Sequence, residues 1–251
     1  NLDELAEECQ RILNTEESEK LDELYRLGGT SGGARPKVMM EMDGEPWIIK
    51  FPAHVDRADI GKMEYDYYLC AEQCGITMSE CNLFPSDKCS GYFGTKRFDR
   101  KNQHGEMERV HMLTVAALLE LDFEQPVLDY QDLMKLTKII TNNSPEDLEN
   151  MYRRMCFNVY AHNRDDHAKN FSFLYEEEKK CWRLSPAYDL TYSTTYYGEH
   201  TTAVAGNGKN PGSKELIFVG TQAGLSKEKC RSIAVEIKNC VSDMLSEYLN
   251  P

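Results

Sequence analysis

The densest chemistry in this 251-residue chain lies in one short run, His162-Asn163-Arg164-Asp165-Asp166-His167-Ala168-Lys169-Asn170, which sets acids, amides, imidazoles and an amine side by side. Burying so many polar groups without a use is costly. Asp165 precedes Asn170 by five positions. With that spacing, phosphoryl-transfer loops pair an acid that orients an attacking hydroxyl with an amide that holds magnesium. A second metal ligand is expected from an aspartate brought back beside that asparagine. Asp189, in Leu184-Ser185-Pro186-Ala187-Tyr188-Asp189-Leu190, follows a hairpin-like segment that carries the chain out and back, so it is the candidate, with Tyr188 and Leu190 as packing neighbours. The metal would neutralise charge building on the transferred phosphoryl group.

Such chemistry also calls for a lysine on a strand to meet the phosphates and a glutamate on the following helix to hold it. Lys50 ends the apolar run Trp47-Ile48-Ile49-Lys50-Phe51, and Glu64 lies in the next helical stretch. The segment Gly28-Gly29-Thr30-Ser31-Gly32-Gly33-Ala34-Arg35-Pro36-Lys37 offers backbone amides for phosphate. It matches neither the P-loop pattern nor G-x-G-x-x-G; its place ahead of Lys50 is what favours a nucleotide role.

The elements that must position these residues can be read from periodicity. Helices are expected over Leu2–Leu13 and Glu16–Leu27, the second stopped by Gly28-Gly29. The segments Pro36–Met42 and Pro46–Phe51 read as a β-hairpin turned at Asp43-Gly44. A helix over Asp59–Cys74 and strands at Asn82–Pro85 and Tyr92–Phe98 complete a small lobe, residues 1–100. From 101 to 251 the chain reads as mainly helical, with helices over Val110–Leu121, Tyr130–Thr141, Pro145 toward Tyr160, and Lys227–Leu249. The polar run, a hairpin over Phe171–Leu184 and a loop over roughly 191–213 lie between the last two.

Composition narrows the class. At 41% hydrophobic and 28% charged the chain can bury one large core or two lobes. It has no apolar run long enough to cross a bilayer, and its acidic first residues do not resemble a secretory signal, so a cytoplasmic location is expected. The net charge of -13 argues against direct nucleic-acid binding, which needs cationic side chains to displace counterions. Nine irregularly spaced cysteines leave one over in any complete pairing, so reduced thiols are expected. Cys70, Cys74, Cys81 and Cys89 lack the paired short spacings of a zinc ribbon, and packing is the better reading of them.

Five motifs occur here in the order of one known family: Gly32-Gly33-Ala34-Arg35-Pro36-Lys37, Lys50-Phe51-Pro52, Lys96-Arg97-Phe98-Asp99-Arg100, the run Asn163–Asn170, and Pro186-Ala187-Tyr188-Asp189-Leu190. On these residues the chain resembles the HipA-like serine/threonine kinases of bacterial toxin-antitoxin systems. The resemblance implies an α+β, bilobed protein-kinase-like fold with a small β-containing N-lobe, a larger mainly helical C-lobe, and ATP in the cleft. It implies Gly32, Gly33, Ala34, Arg35, Lys37 and Lys50 toward the ATP phosphates, Glu64 pairing with Lys50, and Lys96 to Phe98 at the hinge near adenine. It also implies Asp165 as catalytic base, His167 and Lys169 completing the catalytic loop, and Asn170 and Asp189 on magnesium. In this family a serine of the glycine-rich loop is autophosphorylated, and Thr30 and Ser31 occupy that region here. The implied substrates are proteins, with aminoacyl-tRNA synthetases the class known for the family. The implied partner is a helix-turn-helix antitoxin. With 27 residues before the loop, the chain resembles a short form lacking the family's N-terminal subdomain, a piece that a small companion protein would supply. Lys96 stands where an acidic residue is common, so a backbone contribution is expected of it more than a side-chain one.

Two other readings compete. His162, Asp165, Asp166 and His167 could ligate the metal of a phosphohydrolase, which leaves Lys50, the glycine-rich loop and Asp189 without a part. A kinase-like pseudoenzyme would bind nucleotide or antitoxin without catalysis, against which stand the intact Lys50, Asp165, Asn170 and Asp189.

Overall fold

The structure, a computed structural model, describes residues 1–13, 35–103, 105–120, 128–195 and 197–249. The expected helix Glu16–Leu27 and the loop residues Thr30, Ser31, Gly32, Gly33 and Ala34 lie outside the described residues. Internal contacts divide the chain into two compact units, Asn1–Asp66 with Ser79–Arg97 and Tyr67–Met78 with Phe98–Pro251.

In the smaller unit, α1 (Leu2–Leu13) precedes β1 (Lys37–Met42) and β2 (Glu45–Lys50), an antiparallel hairpin with Lys37 opposite Lys50. Its turn needs left-handed backbone at both central residues, and Asp43 and Gly44 supply φ of 53° and 77°. With β3 (Cys81–Phe84) and β4 (Tyr92–Lys96) the sheet runs β1-β2-β4-β3. Leu2, Leu5, Ala6 and Cys9, spaced on one face of α1, pack on Val38, Trp47, Ile49, Phe51 and Tyr92. Asp3 fixes that helix by accepting from the hydroxyls of Ser86 and Tyr92, both at 2.6 Å. The helix α2 (Ile60–Gln73) begins against the loop before β4. Gly61 permits this approach, since a Cβ there would strike the Gly91 carbonyl oxygen.

The larger unit takes in the second half of α2, whose Tyr67 hydroxyl donates to the Ala161 carbonyl at 2.6 Å. Its helices are α3 (Val115–Leu118), α4 (Tyr130–Ile140), α5 (Pro145–Tyr160), α6 (Ser213–Gln222) and α7 (Lys227–Leu249). The start of α5 is set by Ser144, whose hydroxyl caps the Asp147 amide, and by Pro145 in the first turn. Around these helices lie a hairpin of β5 (Arg100–Gln103) and β6 (Glu106–Arg109), and a parallel pair of β8 (Leu128–Asp129) and β11 (Thr202–Ala203). A third sheet has the order β10 (Cys181–Leu184), β9 (Ser172–Glu176), β7 (Met112–Thr114). No helix among the described residues is long and apolar enough to cross a membrane.

Three elements depart from the periodicity reading. The helix expected over Val110–Leu121 is shorter: Met112–Thr114 pairs with Leu174, Phe173 and Ser172 of β9, and only Val115–Leu118 is helical, capped by the Thr114 hydroxyl. The β5–β6 hairpin carries polar residues on both strands, so no apolar alternation reveals it. The unexpected α6 is announced by Glu215, whose carboxylate accepts the Gly212 amide at 2.9 Å, and by the apolar Leu216, Ile217 and Val219.

Candidate active site

The polar run leaves the end of α5 through a reversal at His162, whose φ of 53° is left-handed. Burial, then the nearby Arg164 and His200 charges, holds the His162 imidazole pKa below its ordinary value. Asn163 then ties the loop back to its own helix: its amide N–H donates to the Asn158 carbonyl at 3.0 Å and its Nδ2 to Asn158 Oδ1 at 2.9 Å. Asn158 donates in turn to the Tyr130 hydroxyl at 2.9 Å, and Tyr130 donates to Asp166 Oδ2 at 2.8 Å. Asp166 is fully buried and also accepts from His200 Nδ1 at 2.9 Å and from the Thr202 amide at 3.1 Å. Its own carbonyl accepts the Thr202 hydroxyl. Both carboxylate oxygens and the carbonyl of Asp166 are therefore engaged in anchoring the loop to α4, His200 and β11.

Neighbouring side chains on extended backbone point to opposite sides, and with Asp166 turned inward Asp165 faces out, its side chain 59% exposed. His167 Nε2 is 3.8 Å from Asp165 Oδ1, while His167 Nδ1 is buried with no partner among the described residues. Ala168–Asn170 form a 3-10 turn, and Asn170 Nδ2 donates to the Asp165 carbonyl at 2.9 Å. That bond fixes the amide so that Oδ1 remains the acceptor end.

The β9–β10 hairpin brings the second motif to the loop. Phe173 faces Leu184, and the Ser185 amide extends the ladder to the Ser172 carbonyl at 2.9 Å. The Tyr188 hydroxyl donates to the Lys169 carbonyl at 2.6 Å and so accepts from Ser172 Oγ at 2.5 Å. These bonds tie the segment that carries Asp189 to the 3-10 turn that holds Asn170. Burial pushes the Tyr188 phenol up to about 12, which keeps this donor protonated at neutral pH. Asp189 itself has φ 54°, a backbone state that costs roughly 1–3 kcal/mol for a non-glycine residue and persists where surroundings impose it. One such constraint is Arg154, fully buried, whose Nη2 donates to the Ser185 carbonyl at 2.5 Å and whose Nε donates to Asn150 at 3.1 Å. Burial lowers its guanidinium to about 10, still charged at neutral pH. The Ala187 amide donates to the Thr77 carbonyl at 2.8 Å, a second tie on this segment.

In the smaller unit, Lys50 Nζ meets Glu64 Oε1 at 2.5 Å, with the glutamate 3% exposed. Arg35 stands 3.6 Å from the other Glu64 oxygen and donates to Asp56 at 3.1 Å. Its side chain is therefore held by carboxylates. Asp56 also accepts the Ala53 amide, which shapes the turn after Lys50. Lys96 pairs with Glu80 at 2.7 Å and lies over the Trp47 ring. Phe98, in the larger unit, packs its ring 5.6 Å from that of Tyr188.

The five-residue spacing to Asn170 singles out Asp165, but sequence reasoning gave Asp166 no anchoring role and passed over Tyr130, Arg154 and His200, which hold the loop and the Asp189 segment in place. A buried tyrosine or arginine has no local signature. The set His162, Asp165, Asp166 and His167 does not gather around one ion: among the described residues, the only three or more cysteine, histidine or acid donors close enough for that are Cys70, Cys74 and Cys240.

Three comparisons bear on this geometry. A Sinorhizobium fredii protein named "Putative kinase Y4dM" is 28% identical over 178 residues, 65% of this chain and 42% of that protein, so the chain spans well under half of this relative. The fold superposes on a chain of the Shewanella oneidensis MR-1 toxin-antitoxin complex of HipA, HipB and operator DNA with a TM-score of 0.72, at 19% identity over 97% of this chain and 64% of that one. It superposes on the Helicobacter pylori proinflammatory kinase CtkA with a TM-score of 0.55, at 13% identity over 83% of this chain and 92% of that one. The expected α+β, protein-kinase-like fold is the one the chain has. The model of the HipA-like C-terminal domain matches residues 29–244, and the chain belongs to that family.

Proposed function

We propose that the chain is an ATP- and magnesium-dependent serine/threonine protein kinase. The observation that supports this reading is the tether from Tyr188 to Lys169, which joins the segment of Asp189 to the turn of Asn170, whose amide donates to the carbonyl of an outward Asp165. An aspartate and an amide oxygen are the hard donors that magnesium takes, so the residues fit the ion. When bound, it would draw charge from the ATP phosphates. Lys50, steadied by Glu64, orients the same phosphates; Asp165 accepts the proton of the attacking hydroxyl as its oxygen bonds to the γ-phosphorus and the bond to ADP breaks. His167 and Lys169 support that loop.

The finer parts of the reading follow the family. The substrate is a protein hydroxyl, with an aminoacyl-tRNA synthetase as the candidate class, and Thr30 or Ser31 is the autophosphorylation site. The Shewanella complex contains HipB, and a helix-turn-helix antitoxin is proposed as partner here, with the kinase as toxin in the cytoplasm. The test is incubation with magnesium and γ-labelled ATP, followed by mass spectrometry of residues 28–37. Label on Thr30 or Ser31 in the wild type and none in Asp165→Ala is the expected result. ATP binding without any transfer to itself or to a protein substrate would overturn catalysis and leave a nucleotide-binding pseudoenzyme.

A further inference from the structure

Away from the loop, two helices of the larger unit bring four sulfur atoms together. Cys70 lies in the last turn of α2 and Cys74 is the residue just past its end, its amide still donating to the Cys70 carbonyl at 2.9 Å, while Cys240 and Met244 lie one turn apart on α7, so each pair shares a face. The three thiol sulfurs all lie within 4.8 Å of one another, with Cys70 and Cys240 at 3.9 Å. Met244 Sδ adds a fourth sulfur 3.7 Å from Cys240 Sγ. In a tetrahedral site with metal–sulfur bonds of about 2.3 Å, sulfurs stand about 3.8 Å apart. The three thiols thus stand near ligand-shell spacing already, and Met244 stands beside one of them. Cys70 and Cys74 are fully buried while Cys240 is partly exposed, which leaves one side open for an ion to enter.

We propose that Cys70, Cys74 and Cys240, with Met244 as a fourth soft donor, form a binding site for a thiophilic d10 cation of the zinc or cuprous class. Thiolate and thioether donors select such ions over magnesium or calcium. The hydrogen bond with Cys70 and then burial raise the Cys74 thiol, and burial and then the bond with Cys74 raise the Cys240 thiol, so without a cation these two thiols are neutral. Coordination forms one metal–sulfur bond per thiol, and each coordinating thiol releases its proton to solvent. No electron is transferred and no oxidant is needed. The loaded site would clip α2 to α7.

The test titrates the reduced, chelator-treated chain with cadmium and follows the ultraviolet thiolate-to-cadmium charge-transfer band. The wild type is expected to saturate at one equivalent. Cys240→Ser and Cys74→Ser should each weaken binding by on the order of 100-fold, and Cys181→Ser should leave it unchanged. Cadmium should raise the melting temperature of the wild type and not of Cys240→Ser, a readout free of any effect of the substitution on the apo fold. Zinc or cuprous ion, added as competitor, should displace cadmium, and whichever does so at lower concentration names the ion within the class. Displacement by neither, absence of a saturating band, or a band kept in both serine variants would overturn the site.

Discussion

Two adjacent aspartates in this chain have opposite fates. Asp166 spends both carboxylate oxygens on Tyr130, His200 and the Thr202 amide, whereas Asp165 stays exposed. The proposed chemistry therefore divides cleanly among single residues. Asp165→Ala should reduce phosphoryl transfer by at least about 100-fold and leave nucleotide affinity nearly unchanged. Asp189→Ala should weaken magnesium-dependent nucleotide binding itself, which calorimetry with and without magnesium separates. Equal loss of binding in both variants would contradict the assignment. Lys50 offers a second cut. Lys50→Met leaves Glu64 nearly buried with Arg35 as its remaining cation, so its stability loss in urea should fall below the roughly 3–5 kcal/mol of a fully uncompensated buried charge. Adding Glu64→Gln should restore much of that stability and none of the transfer activity, because the buried charge is gone but the amine proposed to meet the phosphates is still missing. A double variant as unstable as Lys50→Met would show that the pair is not what holds Glu64.

At the scale of elements, the site depends on how helices and hairpins end. The reversal at the end of α5 uses a left-handed His162, and its imidazole resists protonation in the folded state because of burial and the Arg164 and His200 charges. The unfolded chain takes up its proton near the ordinary value of about 6.5, and the folded chain only at lower pH. Stability should therefore fall as pH drops from about 6.5 toward the folded pKa, and this contribution should be complete above that window. Asparagine tolerates the same backbone state. His162→Asn should thus keep the turn and shrink the difference in urea midpoint between about pH 7.5 and about pH 5.5; an unchanged difference would place the acid sensitivity elsewhere. The β9–β10 hairpin has a simpler task. Its even register returns the chain from Ser172 to Ser185, and three residues later Tyr188 closes on Lys169.

For the whole molecule, a net charge of -13 opposes the counterion release that drives binding to duplex DNA. The chain alone is expected to show no binding to a duplex in fluorescence anisotropy up to about 100 μM protein at physiological salt, within the range where nonspecific binders are seen. Micromolar binding would point to a local basic surface. Much of the architecture could be read in advance: α1 and α7 follow from apolar periodicity, the β1–β2 turn from Asp43-Gly44, and α5 from Ser144 and Pro145. These signals are local, set by backbone preference and by which face of an element is apolar. The residues proposed for phosphoryl transfer also come from the sequence, because Asp165, Asn170 and Asp189 sit in short motifs whose spacing suggests that chemistry. What only the tertiary structure decided depends on partners distant in sequence. Which of two neighbouring aspartates is buried is settled by Tyr130, His200 and Thr202, and the extent of α3 by β9 taking Met112–Thr114 into a sheet. That Cys70 and Cys74 meet Cys240 rather than Cys81 or Cys89 is settled by helix packing across 170 residues of chain. Periodicity reports the face an element buries; packing alone selects what lies against it.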